Sequence, residues 1–272
     1  MESNGKLLVK GAFHVHSTFS GDGEVPLTDI KQMFMQDGFN VVAICEHQHD
    51  MDTTKFRGLI EECDRLSDTG FLMIPGIEFN CYRNQILGIG IDDYRPSVAA
   101  DEVVPWIKDH GGFAVWAHPK KNEYCLPEHV VDELDGIEIW NSKFDGKYAP
   151  REEVVRYYRT RQANRPQLRA ICSIDYHFRA QFRHLPMYCE VSSLTADQVV
   201  ESLRAGRYFS KTAAFRLSSE GAMAVQAHAL RRLLNTANMW VFDQCKHLYR
   251  KMKRRRIALP AAMKNVGRRL FS

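Results

Sequence analysis

His14-Val15-His16-Ser17-Thr18-Phe19-Ser20-Gly21-Asp22-Gly23 follows directly on the apolar run Leu7–Phe13. Such a run reads as a strand, and the H-x-H pair closes it. Alternation along a strand predicts both imidazoles on one side. Asp22 follows in a loop marked by glycines. The same pattern recurs along the chain. His47 closes a second run in Ala43-Ile44-Cys45-Glu46-His47, and Glu78 a third in Ile74-Pro75-Gly76-Ile77-Glu78. His118 ends another in Val115-Trp116-Ala117-His118, and Asp175 and His177 repeat the i, i+2 spacing after Ala170–Ser173.

Further strands are predicted at Asn40–Cys45, Phe71–Ile74, Ile86–Ile91, Phe113–Trp116, Gly136–Trp140 and Met187–Val191. Helices are predicted at Leu27–Gln36, Thr53–Leu66, Asp101–His110, near 151–163 and near 195–204. Strands spaced by helices predict a parallel sheet covered on both faces, or a closed barrel. In a parallel barrel the C-terminal strand ends form the rim where active sites assemble. His14, His16, Asp22, His47, Glu78, His118, Asp175 and His177 all fall at such ends or in the loop just after. Imidazole nitrogens and carboxylate oxygens are ligands of zinc, manganese and iron. Eight such groups exceed the needs of one four-coordinate ion, so two or three metals sharing bridging carboxylates are expected. Two ions roughly 3.5–4 Å apart can activate a water and neutralise both oxygens of an in-line displacement, which points to phosphate-ester hydrolysis. The remaining histidines read as structural or surface groups, with His110 ending a helix before Gly111.

These motifs, taken in order, resemble those of the PHP (polymerase and histidinol phosphatase) family. The opening segment matches its first motif, Cys45-Glu46-His47 looks like T-D-H, and Pro75-Gly76-Ile77-Glu78 like P-G-x-E. Ala117-His118-Pro119 matches A-H-P, and Ser173-Ile174-Asp175-Tyr176-His177 resembles S-D-x-H with one residue inserted. Leu203-Arg204-Ala205-Gly206-Arg207 looks like the L-x-x-G-R ending of many stand-alone members. The resemblance covers about residues 7–210. It implies a distorted (β/α)7, TIM-like barrel with a two- or three-metal site, the eight residues above as metal ligands, and hydrolysis by a metal-activated hydroxide. Glu78, Asp175 and His177 then carry the catalytic roles, with Glu78 as a bridging carboxylate. Two positions depart from the family. Glu46 stands where Asp is common and is expected to accept a hydrogen bond from a ligand histidine. Gln85 stands where many members have a ligand histidine, and as a weaker ligand it would reduce three metals to two or leave one position loosely occupied.

Substrate phosphate needs cationic donors beyond the metals. Lys120, Lys121, Lys143, Lys147, Arg179 and Arg183 all follow predicted strand ends; Lys143 and Arg179, each two residues after a motif, are the selected candidates. Asn141 ends a strand as a residue lining the pocket or shaping a turn.

The formal net charge of the 272 residues is +4, but it is divided unevenly. Residues 222–272 carry 12 Lys and Arg against one acid, Asp243, while the preceding 221 carry 25 basic and 32 acidic residues. The chain thus reads as a barrel over 1–218 and a basic amphipathic helical tail over 219–272. From Met223 to Met252 the apolar residues Leu230, Leu233, Leu234, Ala237, Trp240, Val241, Leu248 and Met252 recur at steps of three and four. Three readings stand for residues 223–272: an anionic membrane surface, a nucleic-acid backbone, or packing on the barrel with a solvated charged end.

Seven dispersed cysteines without a C-x-x-C pair suit reduced thiols in a cytoplasmic compartment, and the start carries no signal-peptide pattern. Cytoplasmic placement is therefore expected, at the inner membrane face if the tail binds lipid. The leading function is hydrolysis of a small phosphorylated metabolite or nucleotide. A nuclease is the first alternative, and a catalytically silent module acting through its tail is the second.

Overall fold

The computed structural model describes residues 5–254 apart from 97, 147–148, 213–214 and 226–227. Lys147 and the last part of the tail therefore lie outside the described residues. The chain opens with strand β1 (Leu7–Val15), helix α1 (Leu27–Gln36) and strand β2 (Val41–Ile44). After Cys45 the extended path resumes as β3 (Glu46–His47), followed by α2 (Thr53–Leu66) and β4 (Leu72–Ile74). Both helices form for the reason their sequences suggest. Leu27, Ile30 and Phe34 bury one face of α1; Phe56, Leu59, Cys63 and Leu66 bury one face of α2 at steps of three and four. The Asp52 carboxylate accepts the Lys55 backbone N–H at 2.7 Å and caps α2.

Beyond Pro75 the path continues as β5 (Gly76–Cys81) and turns back into β6 (Asn84–Ile89). Then come α3 (Val103–Asp109), β7 (Phe113–Trp116), α4 (Glu128–Glu133), β8 (Gly136–Asn141), α5 (Glu152–Gln162) and β9 (Arg169–Ser173). The last part holds β10 (Met187–Val191), α6 (Ala196–Arg204), β11 (Tyr208–Lys211), β12 (Phe215–Ser218), β13 (Met223–Val225) and α7 (His228–Arg254). His110 caps α3 and Gly111 follows it, as expected. Residues Met223–Val225, read from sequence as the start of the tail helix, instead pair with β12 as a strand.

The strands form two sheets, ordered β13-β12-β11-β10-β1-β2-β4 and β3-β5-β6-β7-β8-β9. This corrects the expectation of a wholly parallel arrangement. The parallel pairs are β1–β2, β2–β4, β3–β5, β7–β8 and β8–β9. The β5–β6 and β6–β7 pairs are antiparallel, as are β1–β10 and the β10–β13 meander. The sheets are linked by backbone bonds near β1. Val15 O accepts the Cys45 N–H at 2.9 Å, and His16 N–H donates to Tyr176 O at 2.8 Å.

Two motif glycines sit where backbones approach closely. A Cβ at Gly23 would lie 1.9 Å from Ser17 O, and one at Gly76 would lie 2.5 Å from Gly88 O. Only glycine fits either contact. The large side chains Phe13, Phe34, Phe79 and Trp116 are fully buried, and all seven cysteines are free, five of them buried.

Candidate metal centre

β1 delivers the first two histidines by bending rather than by plain alternation. Its register against β2 shifts between Ala12 and Val15, and His14 adopts φ +61°. His118, just after β7, has φ +31°, and Asp175, just after β9, has φ +52°. Three of the eight predicted ligands thus occupy the left-handed region that side chains rarely adopt. Strain of this kind persists where surrounding structure over-determines it, and it clusters at functional sites.

These bends bring the imidazoles together around Glu78 on β5. Glu78 Oε1 lies 3.5 Å from His14 Nε2 and 3.0 Å from His118 Nε2; Oε2 lies 3.6 Å from His16 Nε2 and 2.8 Å from His47 Nδ1. Asp175 Oδ1 lies 3.9 Å from both His14 and His16 and 3.3 Å from His177 Nδ1. Asp22 is half-exposed at the mouth, 3.2 Å from His47 Nε2 and 3.4 Å from His177 Nε2. All eight predicted ligands therefore converge.

Burial sets the electrostatics. Although burial by itself raises a carboxyl pKa, the His14 and His118 imidazoles hold Glu78 well below the carboxylate range. Asp175 is lowered likewise against its burial, chiefly by the Lys143 ammonium and His14. Burial opposes charge on His14 too, yet Glu138, Asp175 and Glu78 raise it well above the imidazole range. His16 goes the other way, pushed down by burial and by His177 and His47. Burial also lowers His177, to about 4.

The donor set fits divalent cations. His14 Nε2, His16 Nε2 and His177 Nε2 are buried and make no hydrogen bond among the described residues. Buried polar atoms are ordinarily satisfied, so such a group of orphans asks for a partner. Three sets have ligand atoms within 4.8 Å of one another: His16, His47 and His177; His14, Glu78 and His118; His14, His16 and Asp175. Seven of the eight predicted ligands appear in them. Shared His14 and His16 make these sets neighbours, as adjacent ions require.

Glu138 was not singled out from the sequence, although it is central. It is wholly buried on β8 and accepts from His14 Nδ1 at 2.7 Å, the His118 backbone N–H at 2.8 Å and Asn141 Nδ2 at 2.9 Å. A carboxylate on the far ring nitrogen fixes tautomer and orientation, leaving Nε2 for a cation. The available signal was an acid inside the apolar run Gly136–Trp140.

The other predicted residues divide. Glu46 does not reach a ligand histidine directly; it accepts from Ser17 N–H at 2.9 Å and from the Ser17 and Ser20 hydroxyls. Ser20 in turn accepts the His47 backbone N–H at 3.0 Å and faces His16 Nδ1 at 3.4 Å. Burial raises the Glu46 carboxyl to about 7. Gln85 lines the mouth, where its carbonyl oxygen lies 3.5 Å from Lys121 Nζ. Lys143 also lines it, 3.6 Å from Asp175 Oδ1. Asn141 is buried and bonds Glu138; its carbonyl oxygen accepts the Lys143 N–H at 3.0 Å, so it shapes the turn that positions Lys143. Arg179 is not brought to the site and instead pairs with Asp29 at 2.6 Å on the exterior. Lys120 pairs with Glu153 at 3.1 Å, and Arg183 donates to the Ala180 and Phe182 carbonyls.

Helix α7 borders this mouth. Its Asp243 pairs with Arg151 at 3.0 Å, and Lys246 Nζ lies 5.6 Å from the Phe144 ring centroid. Phe144 packs edge-on against His118, with centroids 4.9 Å apart. A cleft of about 260 Å³ between them is lined by Lys120, Lys121, Phe144, Phe242 and Lys246 among others.

No family model matches the sequence. An uncharacterized Methanocaldococcus jannaschii protein is 27% identical over 149 residues, spanning 49% of this chain and 82% of that one. A two-domain protein of Bacteroides vulgatus containing a predicted PHP-like metal-dependent phosphoesterase superposes with TM-score 0.59 at 21% identity, covering 78% of this chain and 66% of that one. PsfC of Pseudomonas syringae superposes with TM-score 0.54 at 15% identity, over 86% of this chain and 97% of that one. The lesion-specific endonuclease PfuEndoQ of Pyrococcus furiosus does so with TM-score 0.53 at 15% identity, over 74% and 56%. The chain thus spans about two thirds of the Bacteroides protein and just over half of the Pyrococcus one. With its ordered histidine and carboxylate motifs gathered at one point, the chain has the PHP-like fold.

Proposed function

We propose that this protein is a metal-dependent phosphoesterase, with the two sheets as arcs of a distorted (β/α)7 barrel that runs beyond residue 218 through β13 to Val225, and with α7 as the start of the tail. The observation that carries the reading is the buried set of unbonded imidazole nitrogens facing Glu78 and Asp175. Without cations, so many buried ionisable groups would be costly. His14, His16, His47, Glu78, His118, Asp175 and His177 would hold two or three divalent ions, zinc, manganese or iron, with Asp22 completing the set at the mouth. Such ions supply a water of lowered pKa and neutralise charge on the phosphate oxygens.

The chain's own groups do the rest. Glu138 holds the His14 ring and anchors the His118 backbone. Glu46 and Ser20 fix the loop that carries His16 and His47. Lys143 and Lys121 line the mouth and place positive charge where an anionic substrate enters. Asp175 and His177, joined at 3.3 Å, are the residues suited to hold and move a proton there. The test is hydrolysis of an aryl phosphate by full-length protein with and without manganese, repeated with His16→Ala. Manganese-dependent turnover lost in the variant supports the reading. Turnover that is indifferent to metal or to His16 refutes it, and no turnover of any mono- or diester favours a silent binding module.

A second reading, phosphodiester cleavage in nucleic acid, is favoured by the cleft beside α7. Half-buried Phe242 stands there among Lys120, Lys121 and Lys246 beside the buried Phe144, so the cleft offers cations to a backbone and one aromatic side chain to a base. Labelled single-stranded oligonucleotides, offered beside the aryl phosphate, separate the two substrate classes.

A further inference from the structure

Helix α7 has two faces, and the described contacts occupy only one. Met239 is buried, and Phe242, Lys246 and Tyr249 are half-buried, at steps of three, four and three. That is the seam along which the helix meets the body, at Arg151 and Phe144. On the other side Leu233, Leu234, Trp240, Val241 and Leu248 all face solvent; the least exposed, Leu234, is 51% exposed. At 3.6 residues per turn these five fall within an arc of about 120°, nearly opposite the seam. Isolated apolar residues on a surface need no explanation, but five large ones on one arc of a helix, a tryptophan among them and interrupted only by Gln244 and Lys251, do.

What would cover the stripe is decided by charge. Residues 222–272 carry 12 Lys and Arg and a single acid, which already pairs with Arg151. A second copy of α7 laid on this stripe would bring two strongly basic segments together, with repulsion opposing the contact. A nucleic acid would satisfy the cations but leave five large apolar side chains in water. An anionic bilayer surface satisfies both: apolar side chains enter the acyl boundary, tryptophan sits at the interface, and Lys and Arg meet headgroups. We infer that α7 docks the protein, through Leu233, Leu234, Trp240, Val241 and Leu248, onto an anionic lipid surface. The body-facing seam stays in place, so the metal centre's mouth is held beside that surface. No described helix is long and apolar enough to cross a membrane, in keeping with a helix lying in the interface.

The experiment is co-sedimentation of full-length protein with phosphatidylcholine vesicles, with and without about 30% phosphatidylserine, at low and at about 0.5 M salt. Full-length protein is expected to partition onto the anionic vesicles about tenfold more strongly than onto neutral ones, weakening with salt. The Leu233→Glu/Leu234→Glu double variant and the Trp240→Glu variant should each lose about tenfold or more of that partitioning while keeping aryl-phosphate turnover. Retained turnover shows the variants are folded; should they not fold, Trp240→Ser, milder at the same position, must show the loss instead. The inference is overturned if wild-type protein does not prefer anionic vesicles, or if the folded stripe variants bind them as well as wild type. It is equally overturned if light scattering shows a dimer that these substitutions dissociate, or if the stripe is instead required for oligonucleotide binding.

Discussion

The centre of the molecule and helix α7 treat charge in opposite ways. At the centre, His14, His16, His118, Glu78, Glu138 and Asp175 are almost wholly buried, and each has an oppositely charged or ligating group within 4 Å. Burial leaves no alternative, since an isolated charge in a dry interior is far too costly. On α7, among the cations whose side chains are described, Lys251 is exposed and Lys246 half-buried, and the fold imposes little on their number. The centre's composition therefore reports on what it holds inside, whereas the tail's reports on what it meets outside.

Changes at the centre should be severe, and changes on α7 mild. The largest effect is expected for Glu78→Gln. It removes the carboxylate that faces four histidines, and with it several kcal/mol of charge compensation, so metal-dependent turnover should fall about a thousandfold. Steady-state kinetics at saturating manganese measure this, and a fall of less than tenfold would break the contrast. Next comes Glu138→Gln, which keeps the shape but weakens the hold on His14 and His118. Metal affinity should drop about 10–100-fold, read by titration with a competing chelator.

Stripping the ions should also destabilise the fold, because a ligand that binds only the native state stabilises it by mass action. At saturation about 3–4 kcal/mol is at stake, seen as a lower Tm that rises again on adding metal back. Lys143→Ala should raise KM for the aryl phosphate about tenfold, the worth of one charge-assisted contact, with a smaller change in kcat. The smallest effect belongs to α7. Asp243→Asn breaks its partly exposed ion pair with Arg151, worth about 1 kcal/mol or less. Faster amide exchange confined to α7, with the barrel's exchange unchanged, would sharpen the difference between the two regions.

The same contrast governs how much could be read from the sequence. The eight candidate ligands were legible because each stands at a strand end or in the loop that follows, where a polar residue interrupts or ends an apolar run. Glu138 was hidden because it lies inside such a run, and only its contacts with His14 and His118 reveal its work. The β5–β6 hairpin was hidden for a different reason. Its turn residues Tyr82 and Arg83 have φ +46° and +63°, a conformation that sequences usually announce with Asn or Gly. With no such signal, the antiparallel pairing of the strand through Glu78 with the one that follows it was not legible. Arg179 was misplaced because two residues of spacing do not fix direction; the short helical turn after Phe178 carries it outward to Asp29. Lys143, at the same spacing, is turned inward with the bond its backbone N–H makes to the Asn141 side chain.

If the buried histidines and carboxylates exist to hold metal, elemental analysis of full-length protein purified without chelator, alongside Glu78→Gln, will show it. The wild type is expected to carry at least two transition-metal ions per chain, in keeping with a paired-ion site, and the variant markedly fewer. A wild-type protein that is folded yet carries and takes up none would contradict it.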